Sequence, residues 1–330
     1  VVPAALSTPA WAGIGIGISV RIGPPALPIY AQPICPGPGY LWTPGYWSWD
    51  DDGGYYWVPG TWVIAPIGML WTPGYWGWGD GFYAWHAGYW GPHVGFYGGI
   101  NYGFGYGGVG FFGGEWRHGG FFYNTAVMHV DTVHVTNVYV NRTVIVNNES
   151  HVAFNGGQGG VAARATAAEE AVAREPHQAA LGSQSQHEHA ASQNRAMFAS
   201  ANHGAPAVAA TARPGEFSGR NVAAAKAAGA PYHAPAIAPR EARVSASAAN
   251  RPYSTGSTAG NRSNMSSNRP NTGNGSSNAS RYAAPSHTQS APRTENSHPQ
   301  NQSHTQSAPR ARPAPAPQHQ NAPREEKHKG

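Results

Sequence analysis

Few groupings in this chain have the residue types and spacing that chemistry needs. Asp50-Asp51-Asp52 offers the hard oxygens that Ca²⁺ takes, but the spaced ligands and distal Glu of a calcium loop are missing, so the run reads as a solvated turn. His187-Glu188-His189 presents imidazoles of the kind that hold Zn²⁺, Cu²⁺ or Ni²⁺, without a Cys partner or a rigid scaffold signal beside them. His86, His93 and His118 lie among aromatic residues and read as a polar rim before they read as general acids or bases. Gly103, Gly105 and Gly108 spell G-x-G-x-x-G, yet that fingerprint works only between a strand and a helix N-terminus that holds a pyrophosphate, and no helical pattern follows. G-x-S-x-G, a phosphate-binding loop and H-E-x-x-H are absent, and Cys35 has no second cysteine to pair with. The sequence therefore assigns no catalytic residue, no metal site and no cofactor, and points away from an enzyme.

What the chain concentrates is rings. It has 12 Trp and 16 Tyr against four Met and one Cys, and all but Trp11 of the tryptophans fall between Trp42 and Trp116. They are organised by a repeated unit, Trp-x-Pro-Gly-x-Trp: Trp42 to Trp47, Trp57 to Trp62, Trp71 to Trp76, and Trp85 to Trp90 with Ala87 in place of Pro. A weaker copy runs from Phe111 to Trp116. Pro fixes φ near −65° and Gly supplies positive φ, so Pro44-Gly45, Pro59-Gly60, Pro73-Gly74 and the looser Ala87-Gly88 are expected to be type II turns, with the two Trp of each unit paired across them. Asp50 to Gly54, Pro66 to Gly68 and Gly79 to Gly81 give further turn signals, which leaves strands of four to six residues. Two uses of the rings stay open. A domain poor in Leu and Ile must bury something, and Trp buries ~150–250 Å². Alternatively, Trp47 and Trp49 on one strand face, with Tyr46 on the other, and the matching Tyr75, Trp76 and Trp78, form an exposed platform that stacks on sugar rings.

These repeats resemble the bacterial exported proteins that carry WXXGXW (YXWGXW) repeats. The resemblance extends to the Cys35-Pro36-Gly37-Pro38-Gly39-Tyr40 lead-in, to His93 through Gly99, and to Arg213-Pro214-Gly215-Glu216-Phe217-Ser218-Gly219 through Tyr232-His233, and so covers most of residues 24–233. It implies export from a Gram-negative-type cell and supplies no catalytic residues.

Composition sets the outer frame. Of 330 residues, 43 are Gly and 29 Pro, and only 11% are charged, which excludes an ordinary globular enzyme throughout the length. The expected fold is mainly β: an antiparallel β-meander of short aromatic-rich hairpins with a Gly-rich segment, then a long disordered tail. Residues 1–12 read as a signal-peptide remnant with Ala10 and Ala12 at the cleavage positions. A Pro/Gly-rich lead-in follows at 13–39, the repeat region at 40–122, and a Val/Asn/Thr-rich strand region at 123–154. The tail is placed at 155–330, with short helices near 167–175, opened by the Thr166-x-x-Glu169 capping box, and near 221–228. Up to Asn155 three Arg face seven acids, net −4; beyond it 18 Lys and Arg face nine Glu, net +9. This dilute basic charge gives no specific nucleic-acid partner. No run of residues has the length of a membrane-spanning helix. The expected role is an exported non-enzymatic structural or interaction protein of a bacterial envelope or exterior, partnered by an envelope polysaccharide or another envelope protein. The alternative is a polysaccharide- or peptidoglycan-binding module that uses exposed rings.

Overall fold

The computed structural model describes residues 16–143 and 150–245. The cleavage positions Ala10 and Ala12, the octapeptide Ser286-His287-Thr288-Gln289-Ser290-Ala291-Pro292-Arg293 that recurs unchanged at Ser303 to Arg310, and the alternation of Pro and Ala from Pro313 to Pro317 lie outside the described residues. The fold is mainly β, built of short antiparallel hairpin arms with a few short helices.

Strands β1 (Ile16–Val20) and β2 (Ile29–Tyr30) lead into eight repeat strands: β3 (Tyr40–Thr43), β4 (Tyr46–Asp50), β5 (Gly54–Val58), β6 (Gly60–Ile64), β7 (Leu70–Thr72), β8 (Tyr75–Gly79), β9 (Phe82–His86) and β10 (Tyr89–Gly91). The Pro-Gly units are not the hairpin turns. β3 pairs with β6 from Tyr40↔Ile64 to Thr43↔Thr61, and β4 pairs with β5 from Tyr46↔Val58 to Asp50↔Gly54. One register runs through both pairs and sets Pro44 against Gly60 and Gly45 against Pro59. Residues 40–64 are thus a single long hairpin, interrupted at its waist because Pro has no N–H for the ladder. Residues 70–91 repeat the plan, with Leu70↔Gly91 to Thr72↔Tyr89 and Tyr75↔His86 to Gly79↔Phe82 in one register.

The true turns are the other signals. Asp80 and Gly81 both have positive φ, 51° and 85°, which is what a two-residue hairpin loop that follows the strand twist requires. At the first tip Asp50 Oδ1 accepts from the N–H groups of Asp52 (2.9 Å) and Gly53 (2.7 Å). Gly45, Gly60, Gly74 and Gly88 are not among the positive-φ residues, so the type II reading is corrected. Nor do the two Trp of one unit face each other. The facing pairs are Trp42↔Trp62, Trp47↔Trp57, Trp71↔Trp90 and Trp76↔Trp85, each joining two different units.

Beyond the repeats come β11 (Asn101–Gly103), β12 (Tyr106–Gly107), β13 (Gly114–Arg117), β14 (Gly120–Asn124), β15 (Val138–Tyr139) and β16 (Phe154–Asn155). Gly103, Gly105 and Gly108 all have positive φ; Gly103 ends β11, and the other two lie in loops. The Val-rich stretch gives less strand than expected: within residues 126–143 only β15 is strand. Asp131 accepts from the N–H groups of Val133 and Val135 and closes a turn there.

The boundary at Asn155 is also corrected. Residues 155–245 carry α1 (Ala167–Val172), α2 (Gly182–Ser192), a 3₁₀ turn (Arg195–Met197), α3 (Ala199–Asn202), β17 (Ala210–Thr211), β18 (Val222–Ala223), β19 (Ala225–Ala227) and α4 (Pro239–Ala242). α1 opens with the expected capping box. The helix expected near 221–228 is instead β18 and β19, which pair antiparallel with β17 and β2. The apolar residues of this segment are few, but they do not need a core of their own. Ala191, Met197 and Val208 form a small cluster with Tyr56 and Val58, covering the face of β5 that points away from the main core. β17 adds in parallel to β6, and β16 in parallel to β8.

Candidate functional site

The repeat centre explains its own motif. A Cβ placed on Gly60 would lie 2.5 Å from Trp42 Cζ2, and one on Gly45 would lie 2.3 Å from Trp57 Cζ2. In the second hairpin a Cβ on Gly88 would meet Trp71 Cζ2, and one on Gly74 would meet Trp85 Cζ2, each at 2.5 Å. The first Trp of every unit therefore lies on the Gly of the unit opposite. Glycine is required for close approach of a ring, not for its φ. This accounts for Ala87: the position before Gly can lose its Pro, and the fourth unit keeps the same register.

The interrupted waist leaves backbone groups that the ladder cannot satisfy, and flanking segments take them up. Gly60 N–H and Trp57 Nε1–H both donate to Ala209 O, at 3.1 and 2.9 Å. Tyr102 hydroxyl donates to Gly74 O at 2.7 Å. His187 Nε2–H donates to Pro59 O at 2.9 Å, while its Nδ1 accepts from Gly215 N–H at 2.8 Å. Both ring nitrogens are thus committed and the imidazole is neutral. Burial pushes its pKa down to about 4, against a smaller opposite pull from the Pro59 carbonyl.

The residues of the expected platform divide. Trp47, Trp49 and Trp76 are core, at 1%, 6% and 1% exposed, which corrects their platform reading. Trp47 Nε1–H donates to Ala26 O, Trp49 Nε1–H to Asp51 Oδ1 and Trp76 Nε1–H to Trp47 O, so their polar edges are engaged as well. Tyr46 is half-buried and stacks on Trp85 at 5.0 Å, joining the two hairpins. Tyr75 is half-buried and stacks on His86 at 4.5 Å. Trp78 alone of the six is exposed, at 38%, beside its cross-strand neighbour Tyr83. The reason is that both faces of β4 are covered, one by the main core and the other by the segment following Asn155.

The remaining candidates do not form metal centres; among the described residues no cluster of three or more His, Cys, Asp or Glu is placed to hold an ion. Asp51 and Asp52 face Arg243 and Arg240, and the Arg240 contact holds the Asp52 carboxyl below its usual range. Glu188 accepts from Ser48 Oγ at 2.9 Å, and His93 meets the Glu175 carboxylate at 2.9 Å. Cys35 is buried, donates to Gly37 O, and is pushed up to about 11 by burial, so it is not a ready nucleophile.

Among the described residues several openings border the repeats. A cavity of about 590 Å³ lies at the first hairpin tip, with Trp49 and Tyr55 on one side and the segment from Ala230 to Pro239 on the other. A space of about 100 Å³ lies at the waists, between Pro44, Pro73, Tyr46 and His187. A third, of about 180 Å³, is bordered by Tyr75, His86 and Tyr89. Sequence reasoning did not find the part played by His187 or Ala209, because nothing in local composition marks a residue that completes a distant waist.

Taken together, the fold and its centre define an aromatic hairpin-repeat protein, in which paired tryptophans and closely approached glycines build the scaffold. The family model for the WXXGXW repeat matches the chain in two copies, at residues 37–63 and 67–90. Each copy spans one long hairpin and therefore two Trp-x-x-Gly-x-Trp units. No curated protein and no solved structure matches the chain.

Proposed function

We propose that the chain is an exported, non-enzymatic structural or interaction protein of a bacterial envelope or exterior. The observation that carries this reading is the enclosure of the repeat tryptophans: eight rings are matched in four cross-strand pairs, and the first of each unit lies on an opposing glycine. Rings so committed serve to hold a shape. Ala10-x-Ala12 supports export. Among the described residues no helix is long and apolar enough to cross a membrane. The second reading, binding of an envelope polysaccharide, is favoured by the 590 Å³ cavity beside Trp49 and Tyr55, whose volume falls within the ~300–1,000 Å³ of small-molecule sites.

The test is fractionation of a producing culture, followed by sedimentation of the purified protein with insoluble peptidoglycan. Recovery outside the cytoplasm with Gly13 at the N-terminus and no co-sedimentation supports the structural role. Co-sedimentation that is lost in Tyr232→Ala, a cavity-wall change, transfers support to the glycan reading. Cytoplasmic recovery with an intact leader overturns export.

A further inference from the structure

Glu169 is 7% exposed, and one of its two oxygens has no hydrogen-bond partner. Its Oε2 closes the cap of α1, accepting from Thr166 N–H at 2.8 Å and from the Thr166 hydroxyl at 2.9 Å. Oε1 is buried alone. A buried acceptor left unpaired costs ~1–3 kcal/mol, more for a charged group, so a carboxylate in this state calls for a counterpart.

The same residue lines the cavity of about 180 Å³ beside the second hairpin. Its other walls include Tyr75, Tyr89, Phe96 and His86, with the exposed Glu170 at the margin. Tyr75 is fixed by its stack on His86 and by the edge-on approach of Phe96 at 5.5 Å. No Lys or Arg lines the space. Burial pushes His86 below its usual pKa, which keeps that ring uncharged at neutral pH. The cavity thus joins aromatic walls, two carboxylates and no positive charge. At ~30 Å³ per water it has the size of a small head group and is well below a drug-sized site.

We propose that this cavity binds a methylated ammonium group, with the Glu169 carboxylate as its counter-ion and Tyr75, Tyr89 and Phe96 as its aromatic walls. Rings attract a diffuse cation through their quadrupole. A primary ammonium fits less well: its three N–H donors need acceptors in place of water, and of the oxygens along the wall Thr72 Oγ1 already accepts from Gly95 N–H and Glu169 Oε2 from Thr166, which leaves Glu169 Oε1 and the carboxylate of the exposed Glu170. Choline-type head groups and trimethylated lysine share this chemistry. The proposal does not depend on whether the chain is a scaffold or a glycan binder.

Titration calorimetry of the full chain at constant ionic strength tests it, using tetramethylammonium chloride, its uncharged analogue neopentyl alcohol, and n-butylammonium chloride. The expected result is saturable binding of tetramethylammonium, about tenfold or more tighter than either comparison compound. Glu169→Gln, which preserves the capping side chain, is expected to lose about tenfold while near-ultraviolet circular dichroism is unchanged. Phosphocholine and Nε-trimethyl-lysine distinguish the two sources, and tighter binding of either than of tetramethylammonium supports the cage. Absence of saturable binding to the unaltered chain, equal binding of neopentyl alcohol, or tighter binding of n-butylammonium overturns the proposal. Should Glu169→Gln not fold, the ratio of charged to uncharged ligand on the unaltered chain decides.

Discussion

Replacing Gly60 by Ala introduces one methyl group where Trp42 Cζ2 stands 2.5 Å away and Gly45 N 3.0 Å away. Carbon atoms settle at ~3.5–4.0 Å, so the indole must retreat by about 1 Å. It has little room: Trp42 is fully buried, with Trp62 at 5.4 Å and Phe104 at 5.6 Å. Overpacking of this kind costs ~1–3 kcal/mol, which for a domain of this size lowers Tm by roughly 2–12 °C. Gly37→Ala is the control, because a Cβ there meets nothing within 4 Å and its φ is not positive; it should leave Tm within a few degrees or raise it. Gly60→Asn separates the two explanations of the motif. If the glycine supplied positive φ, Asn would be tolerated better than Ala, since Asn enters the left-handed region more readily. If the ring excludes a side chain, the larger Asn must be the worse. Thermal unfolding followed by calorimetry reads all three variants, and Trp42→Phe combined with Gly60→Ala should recover part of the loss through a coupling of ~0.5–3 kcal/mol. Gly60→Ala melting with Gly37→Ala, or Gly60→Asn melting above Gly60→Ala, would refute the interlock.

Two further outcomes follow from burial. His187 is held neutral, with a folded pKa of about 4 against an unfolded value near 6.5, so its contribution to stability is complete above pH ~6.5 and is lost as pH falls toward 4. The loss amounts to about 3 kcal/mol, and urea midpoints at pH 7 and pH 4.5 should converge more closely in His187→Gln than in the unaltered chain; identical pH dependence would show that His187 is not the titrating group. Trp49→Ala should cost ~3–5 kcal/mol as a core truncation, whereas Trp78→Ala, at an exposed ring, should cost far less. Equal destabilisation in chemical denaturation would mean that burial does not separate the two positions.

The sequence disclosed its rings, its repeat and its local punctuation because these are properties of neighbours along the chain. Gly79-Asp80-Gly81 and the Thr166 capping box carry their geometry in their own side chains, and the fold places a turn and a helix start there. Pro-Gly misled because the same dipeptide that suits a type II turn also suits a strand that must drop an N–H and admit a ring. Only the pairing of Trp42 with Trp62, set by a turn between them, decides which it is. The role of residues 155–245 was hidden for a related reason. The segment is poor in apolar side chains when counted alone, but Met197 and Val208 are placed on Tyr56 and Val58, and Ala209 serves the waist through its carbonyl. Trp49 and Trp78 occupy equivalent places in their hairpins and differ in exposure, 6% against 38%, because other segments enclose Trp49 whereas Trp78 is covered only in part, by Gly156 and Gly157. Periodicity within a strand carries no record of that.

Because every first Trp rests on the glycine of the unit facing it, the smallest self-sufficient piece of this architecture holds two units. Parity is therefore built into growth by duplication. A copying event that added a single Trp-x-x-Gly-x-Trp would leave one ring without a seat and one glycine without a cover, whereas copying a whole hairpin closes on itself. Phe111 to Trp116 shows a substitute for the second unit: β13 lies opposite β14, where Phe121 rather than a second Trp faces Trp116 and lies against Gly114, at 2.5 Å from where its Cβ would stand. An array built this way closes when it is lengthened by whole hairpins, two units at a time, as in the two copies at residues 37–63 and 67–90.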